Sequence, residues 1–352
     1  MKQRRKPLSA LIFSLLLVLL LSGCSRESAS AQEEEQPENT LVTVGFSQVG
    51  AESDWRDANS RSMREAFTRD AGYELLFEDG QQKQSNQIRA IRTFIQQEVD
   101  YIVLAPVTET GWDTVLSEAE EAGIPVILLD RMVDAADESA YVSWVGSDFA
   151  LEGRKACEWL RAYTEAKGVA PESVNLVNIQ GTIGATAQIG RTQALREAAE
   201  KNGWNLKAEI SGDFTQTKGQ EVMASLLHLY SDINVVYCEN DNEALGAIEA
   251  IEEAGKTVGT DIGAGEILVI SFDGVGKSAR TFVSEGKIAC IAQCNPDQGA
   301  MARTIIEALE AGETPQRRYF MEEGIFSACP EVRSVTVDGT EYPVVLPEET
   351  GE

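Results

Sequence analysis

The sequence predicts an α/β fold of two Rossmann-like lobes, each a parallel sheet flanked by helices, joined by a hinge that the chain crosses more than once. Three observations lead there. Short β-branched runs alternate with amphipathic helical stretches, the pattern of βα units that lay their strands in parallel. About 310 residues follow the first forty, more than a single hydrophobic core usually serves. No Pro/Ser-rich linker interrupts the chain after Thr40, as expected when lobes are joined by crossovers and not by a tether.

The N-terminus comes first in order. Lys2, Arg4, Arg5 and Lys6 precede an apolar stretch over 11–21, which ends in Leu21-Ser22-Gly23-Cys24. This is a secretory signal. The stretch is about half of the roughly 20 residues that span a bilayer, so a permanent transmembrane helix is the weaker expectation. The Leu-Ser-Gly-Cys ending resembles the bacterial lipobox, which implies cleavage before Cys24 and a lipid on its sulfur. Multiple acyl chains would anchor the protein stably. Residues 1–24 are thus expected to be a lipoprotein signal peptide. Residues 25–40, polar and carrying Glu33, Glu34 and Glu35, are expected to be a flexible acidic linker.

Strands are expected at 42–47, 73–78, 101–105, 126–129, 174–179, 206–211, 235–238, 267–272 and 288–293. Helices lie between them. Ile88, Ile91, Phe94 and Ile95 recur at helical spacing, as do Val222, Met223, Leu226, Leu227 and Tyr230, and again Ala244, Leu245, Ile248 and Ile251. Each stripe should face a sheet. Gly123-Ile124-Pro125 and Ala254-Gly255 close helices. The alternation breaks at 141–148, where a further strand follows Leu129 without a full helix between, so the first crossover is expected there.

Composition excludes several function classes. The formal charge is -27 for the whole chain, and removing residues 1–24, with four basic and no acidic residues, leaves -31. Such a surface repels phosphates, so neither nucleic acid nor anionic lipid is an expected partner. Cys157, Cys238, Cys290, Cys294 and Cys329 are odd in number, form no C-x-x-C pair, and share the chain with a single histidine. No metal site is expected; the cysteines read as small buried residues with at most one disulfide. Gly263-Ala264-Gly265 lacks the third glycine and the context of a dinucleotide loop, so no cofactor is expected either.

In open parallel sheets ligands bind beyond the carboxyl ends of the strands. Here those ends carry Asp130-Arg131, Asn240-Asp241, Asp273-Gly274 and Gln293. A carboxylate accepts from vicinal hydroxyls, a guanidinium donates through a rigid fork, and an amide does both, which suits a neutral polyol. Singly, a strand-end Asp is more often a cap or a turn residue; four such ends aimed at one cleft favour a site. The first βα loop adds Glu52, Ser53, Asp54, Trp55 and Arg56, and Phe214 follows another strand end. Aromatic faces hold the C–H faces of sugar rings. Trp55 and Phe214 are expected at the site, Trp112 is evenly balanced between site and core, and Trp144, Trp159 and Trp204 are expected to be structural. Arg191 is read as opening a helix after the flexible segment 181–185, a poor place for a cation unless it faces an acceptor.

At these residues the sequence resembles the periplasmic sugar-binding proteins of the ribose and galactose type, which feed ABC transporters, and is close to the bacterial galactofuranose-binding proteins. The segments that carry the resemblance are 44–50 with 52–56, 79–84, Ala105-Pro106 with Thr110-Gly111-Trp112, Leu129-Asp130-Arg131, 180–184, Gly212-Asp213-Phe214 and 271–274. It spans about residues 41–330. It implies the type I periplasmic binding protein fold, with residues 41–147 and about 294–325 in one lobe and 148–293 and about 326–352 in the other. It implies sugar contacts from Glu52 through Arg56, Asp130, Arg131, Arg191, Asn240 and Asp273, while Gln293 fits the broader ribose-type pattern. The implied partners are a monosaccharide, the permease subunits of an ABC transporter and, through Cys24, the membrane. The implied state is a monomer on the outer face of the cytoplasmic membrane, or in the periplasm where an outer membrane exists.

An enzyme is the main rival, and its case is poor. His228 is the only histidine, lies off the apolar stripe of its helix, and has no nucleophile partner in view. A sugar-responsive repressor would need a basic helix-turn-helix where residues 1–40 supply a signal and an acidic leash. A binding protein that presents its closed form to a chemoreceptor or sensor kinase stays open beside uptake.

Overall fold

A computed structural model describes residues 41–347. The signal peptide, Cys24 and the acidic linker lie outside the described residues. The first sheet draws on β1 (Val42–Gln48), β2 (Tyr73–Asp79), β3 (Tyr101–Leu104), β4 (Val126–Leu129) and β5 (Ser143–Gly146), and is completed by β11 (Arg318–Phe320) from far along the chain. Its order is β11-β5-β4-β3-β1-β2, parallel throughout. The helices α1 (Asp54–Ala66), α2 (Gln84–Gln96) and α3 (Asp113–Glu121) connect the early strands.

The second sheet contains β6 (Asn175–Gln180), β7 (Asn205–Ser211), β8 (Val235–Cys238), β9 (Leu268–Asp273), β10 (Cys290–Gln293), β12 (Ile325–Ser327), β13 (Ser334–Val337) and β14 (Thr340–Val345), ordered β13-β14-β12-β10-β9-β8-β6-β7. The run from β7 to β10 is parallel, whereas β12 meets β10 and β13 meets β14 antiparallel. Around it lie α4 (Phe149–Lys167), α5 (Thr186–Asn202), α6 (Gln216–Leu229), α7 (Asp241–Glu253) and α8 (Gly276–Ser284), and α9 (Gly299–Glu310) returns to pack on α1. The two lobes are therefore the expected parallel α/β layers.

Strand periodicity divides each core in two. In the first lobe Ile127 and Leu129 pack with Met63, Phe67, Ile305 and Ile306 on one face, while Val126 and Leu128 pack with Phe94, Trp112 and Leu116 on the other. In the second, Val235 and Tyr237 join Trp159 and Leu195, and Val236 and Cys238 join Met223, Leu226 and Ile248. Because side chains alternate faces along a strand, runs such as Val-Ile-Leu-Leu supply both cores at once.

The chain passes between lobes three times: from β5 to α4, from β10 to α9, and from β11 to β12. Cys157, Cys238, Cys290, Cys294 and Cys329 are buried free thiols. His228 is exposed. Among the described residues no helix is long and apolar enough to cross a membrane.

Candidate functional site

The carboxyl ends of β4, β8 and β9 converge where the lobes face each other. Asp130 and Asp273 leave their strands with φ of 63° and 86°, in the left-handed region that Asp tolerates better than most residues. This turn lifts each carboxylate off the end of its sheet. Phe214 shares the conformation at φ 61°, unusual for so bulky a residue and held only because its surroundings fix it. Its N–H donates to Glu243 Oε1 at 2.9 Å and its carbonyl accepts from Asn240 Nδ2 at 3.0 Å. Asn240 Oδ1 in turn caps α7 by accepting from Glu243 N at 2.8 Å.

On the first-lobe side, Ser53 caps α1 and so directs Trp55 and Arg56 inward. Arg56 Nη2 donates to Asp130 Oδ2 at 2.7 Å and to Glu52 Oε1 at 3.2 Å, and Nη1 to Gln48 Oε1 at 3.2 Å. Arg131 Nη2 donates to Glu52 Oε1 at 2.5 Å and Nη1 to the carbonyl of Val107 at 3.0 Å. One oxygen of Glu52 thus serves two guanidinium groups. Its other oxygen, Oε2, and the Nε of Arg131 are buried without a hydrogen-bond partner, the latter 3.9 Å from Asp130 Oδ2. Such groups are costly unless something else satisfies them.

On the second-lobe side, Arg191 donates through Nε to Glu152 Oε2 at 2.8 Å, through Nη2 to Asp273 Oδ1 at 3.4 Å, and through Nη1 to the carbonyl of Glu239. Burial pushes the Asp273 carboxyl up to about 7, opposed by Arg191 and reinforced by Asp130 of the other lobe. Arg191 does not open its helix as expected: α5 begins at Thr186, so Arg191 lies in its second turn, buried against Phe272. Ala185 stands at the cap position and makes no side-chain capping bond, so no start signal marks the true boundary.

These groups line a small pocket between the lobes, formed by Glu52, Ser53, Trp55, Arg56, Asp130, Arg131, Arg191, Phe214, Asn240 and Asp273, together with Phe149, Ala187 and Cys294. Two expected residues lie elsewhere. Asp54, at the start of α1, is exposed and offers only its backbone N–H, to Asn242 Oδ1 at 3.0 Å. Gln293 turns its amide away, with Oε1 accepting from Gly324 N at 2.9 Å. Trp112 goes to the first-lobe core, its indole donating to the carbonyl of Thr108. Sequence reasoning missed Phe149, Ala187 and Cys294, which reach the pocket from the starts of α4 and α5 and from the second crossover. The only signal for Phe149 was its place directly after Asp148, the cap of α4.

Among the lining residues three guanidiniums face three carboxylates, so the cavity has no formal charge to offer an ion. Trp55, Phe149 and Phe214 add apolar surface, and Arg131 lies over the Phe214 ring at 5.1 Å. The lobes touch directly as well. Met132 N donates to Thr186 Oγ1 at 3.1 Å, and Glu109 N to the carbonyl of Gly184 at 3.0 Å. The cleft is closed.

Comparison with known proteins agrees with this architecture. A model of the periplasmic binding protein domain matches residues 44–314. The galactofuranose-binding protein YtfQ of Escherichia coli is 42% identical over 274 residues, 76% of this chain and 81% of that protein. A Mycobacterium smegmatis protein solved with β-D-fucofuranose is 40% identical with a TM-score of 0.76, covering 82% of this chain and 92% of the other. The binding component of the Shewanella arabinose ABC transporter, solved with α- and β-L-arabinofuranose, is 37% identical with a TM-score of 0.75, covering 81% and 92%. With two parallel-sheet lobes, three crossovers and a family match over most of its length, the chain belongs to the periplasmic binding proteins and has their type I fold.

Proposed function

We propose that this protein is the substrate-binding component of an ABC-type sugar importer, holding one neutral monosaccharide, preferably in a furanose form, between its lobes. The observation that carries this reading is the charge-balanced, aromatic-walled pocket between the lobes, whose lining residues Glu52 and Arg131 keep Oε2 and Nε buried without hydrogen-bond partners. A sugar hydroxyl both donates and accepts, so one hydroxyl satisfies each. A phosphate or an ammonium would find as much repulsion as attraction. The relatives bind galactofuranose, fucofuranose and arabinofuranose, and the lining supports the same class of ligand here.

In this reading Glu52, Ser53, Trp55, Arg56, Asp130 and Arg131 grip the sugar from one lobe and Arg191, Phe214, Asn240 and Asp273 from the other. Sugar bound to both favours the closed state, and the permease recognises that shape. The protein does no chemistry on its cargo. Cys24 carries the lipid that tethers the exported protein to the membrane, and residues 25–40 give it reach.

Isothermal titration of the protein from Leu41 onward against galactose, arabinose, fucose, fructose and ribose, each at equilibrium between ring forms, tests the site. NMR of the bound sugar reports the ring form. Binding of a furanose with the sugar recovered unaltered is expected. Absence of binding by every sugar, or turnover of one, overturns the reading. For the anchor, Cys24→Ala is expected to release the protein from membranes and abolish fatty-acid labelling.

A further inference from the structure

The three crossovers are tied together by one side chain. Glu323, on the third, accepts through Oε1 from the hydroxyl of Ser147 on the first and from the N–H of Asn295 on the second, at 2.9 Å for the latter. The Ser147 hydroxyl also meets Cys294 Sγ at 3.3 Å, and Lys155 Nζ donates to the carbonyl of Glu323 at 3.2 Å. Backbone bonds reinforce the bundle: Met321 N to the carbonyl of Gly146, and Gln293 N to that of Gly324, each at 3.0 Å.

This knot is connected to both walls of the cavity. Cys294 N donates to the carbonyl of Asp273 at 3.0 Å, and the Cys294 carbonyl accepts from Trp55 Nε1 at 2.8 Å. A carboxylate oxygen of Glu152, one of Glu323 and Cys294 Sγ lie within 4.8 Å of one another, and Glu152 holds Arg191 with its Oε2. Trp55 and Asp273 are therefore each hydrogen-bonded to Cys294, next to the Asn295 that Glu323 holds, and the Glu152 that holds Arg191 lies beside the same knot. The Glu323 oxygen that joins the crossovers already accepts two hydrogen bonds, which suits a structural knot better than an ion site.

We propose that Glu323 is a positioning residue for the sugar site: without touching the ligand, it sets affinity by holding the three crossovers in the arrangement that closes the cleft. This rests on the sugar-site assignment above. Freed of Glu323, the crossovers lose their common acceptor, the open arrangement gains population, and every sugar contact is weakened together.

The test compares Glu323→Ala, Glu323→Gln and Ser147→Ala with Arg131→Ala, using titration, stopped-flow release of the tightest-binding sugar and small-angle scattering of the unliganded proteins. Glu323→Ala is expected to lose at least about tenfold in affinity, chiefly through faster release, and to scatter as a more extended particle without sugar. Glu323→Gln keeps an acceptor oxygen and should recover most of the loss. Ser147→Ala, which removes one donor, should fall between and serves if Glu323→Ala does not fold. Arg131→Ala should lose affinity with unliganded scattering unchanged. Wild-type affinity and scattering in folded Glu323 and Ser147 variants, beside weak binding in Arg131→Ala, would overturn the knot alone. Unchanged affinity in Arg131→Ala overturns the sugar site on which it rests.

Discussion

The indole N–H of Trp55 donates to the carbonyl of Cys294 at 2.8 Å, so a side chain at the start of the first helix is fixed by the segment on which the chain returns from the second lobe. Arg56 lies 4.7 Å over the same ring. Trp55→Phe keeps an aromatic face but leaves a buried carbonyl without a donor, a penalty of about 1–3 kcal/mol. Affinity is expected to fall about tenfold or more by titration, and further in Trp55→Ala, which also loses the ring. Equal affinity for wild type and Trp55→Phe would remove the indole hydrogen bond from any account of the site.

Glu52 neutralises Arg56 and Arg131 through a single oxygen. Glu52→Gln keeps the shape and loses the charge, leaving two buried guanidiniums with too few anions. Breaking buried pairs of this kind typically costs about 3–5 kcal/mol. The ligand-free variant is expected to unfold at clearly lower urea and to bind sugar at least about tenfold more weakly. An unchanged midpoint would mean that the guanidiniums find water or other acceptors.

Gly181 makes room for Phe214. A Cβ at position 181 would stand 1.9 Å from Phe214 Cζ, far inside contact distance, so Gly181→Ala must displace the ring from its place in the pocket lining. Sugar affinity should fall, and it should not fall further when Gly181→Ala is added to Phe214→Ala, since the clash is then gone. Additive losses in the double variant would show that the glycine acts through something other than this ring.

The fold was legible where local pattern and tertiary role agree. β1, β3, β4 and β8 are short runs rich in apolar and β-branched residues, buried over most of their length, and pattern alone picks them out. The strands β11 to β14 were not foreseen. They are short, and Arg318–Phe320 and Thr340–Val345 are largely exposed edge or antiparallel segments whose pairing comes from tertiary placement. Asp130 and Asp273 could be read as site candidates because strand ends in parallel sheets aim at the cleft. Gln293 ends its strand in the same way, but the third crossover lies beside it and Gly324 takes its amide oxygen. Glu152 shows the opposite failure. A glutamate in the first turn of a long helix looks like surface, yet it is buried on Arg191, and nothing in the local sequence marks a partner 39 residues away.

A buried carboxyl beneath the second-lobe wall gives the stability a sign with pH. Glu239 is fully buried, with Oε1 accepting from Thr192 Oγ1 at 2.5 Å and Asn178 Nδ2 at 3.1 Å, and Oε2 from Gly181 N at 2.9 Å. Burial pushes it up to about 7 from an ordinary 4.5, although those donors pull the other way. Between these values the folded protein holds a proton that the unfolded chain has released, so stability is highest below the window and falls as pH rises through it. Asp273, also raised to about 7, acts with the same sign. Glu239→Gln removes one of these titrations. Relative to wild type, the variant should gain on the order of 3 kcal/mol between pH 4.5 and 8. Thermal unfolding of both ligand-free proteins across that range measures the difference. Parallel curves would mean that Glu239 is ionised throughout, with its three donors outweighing its burial.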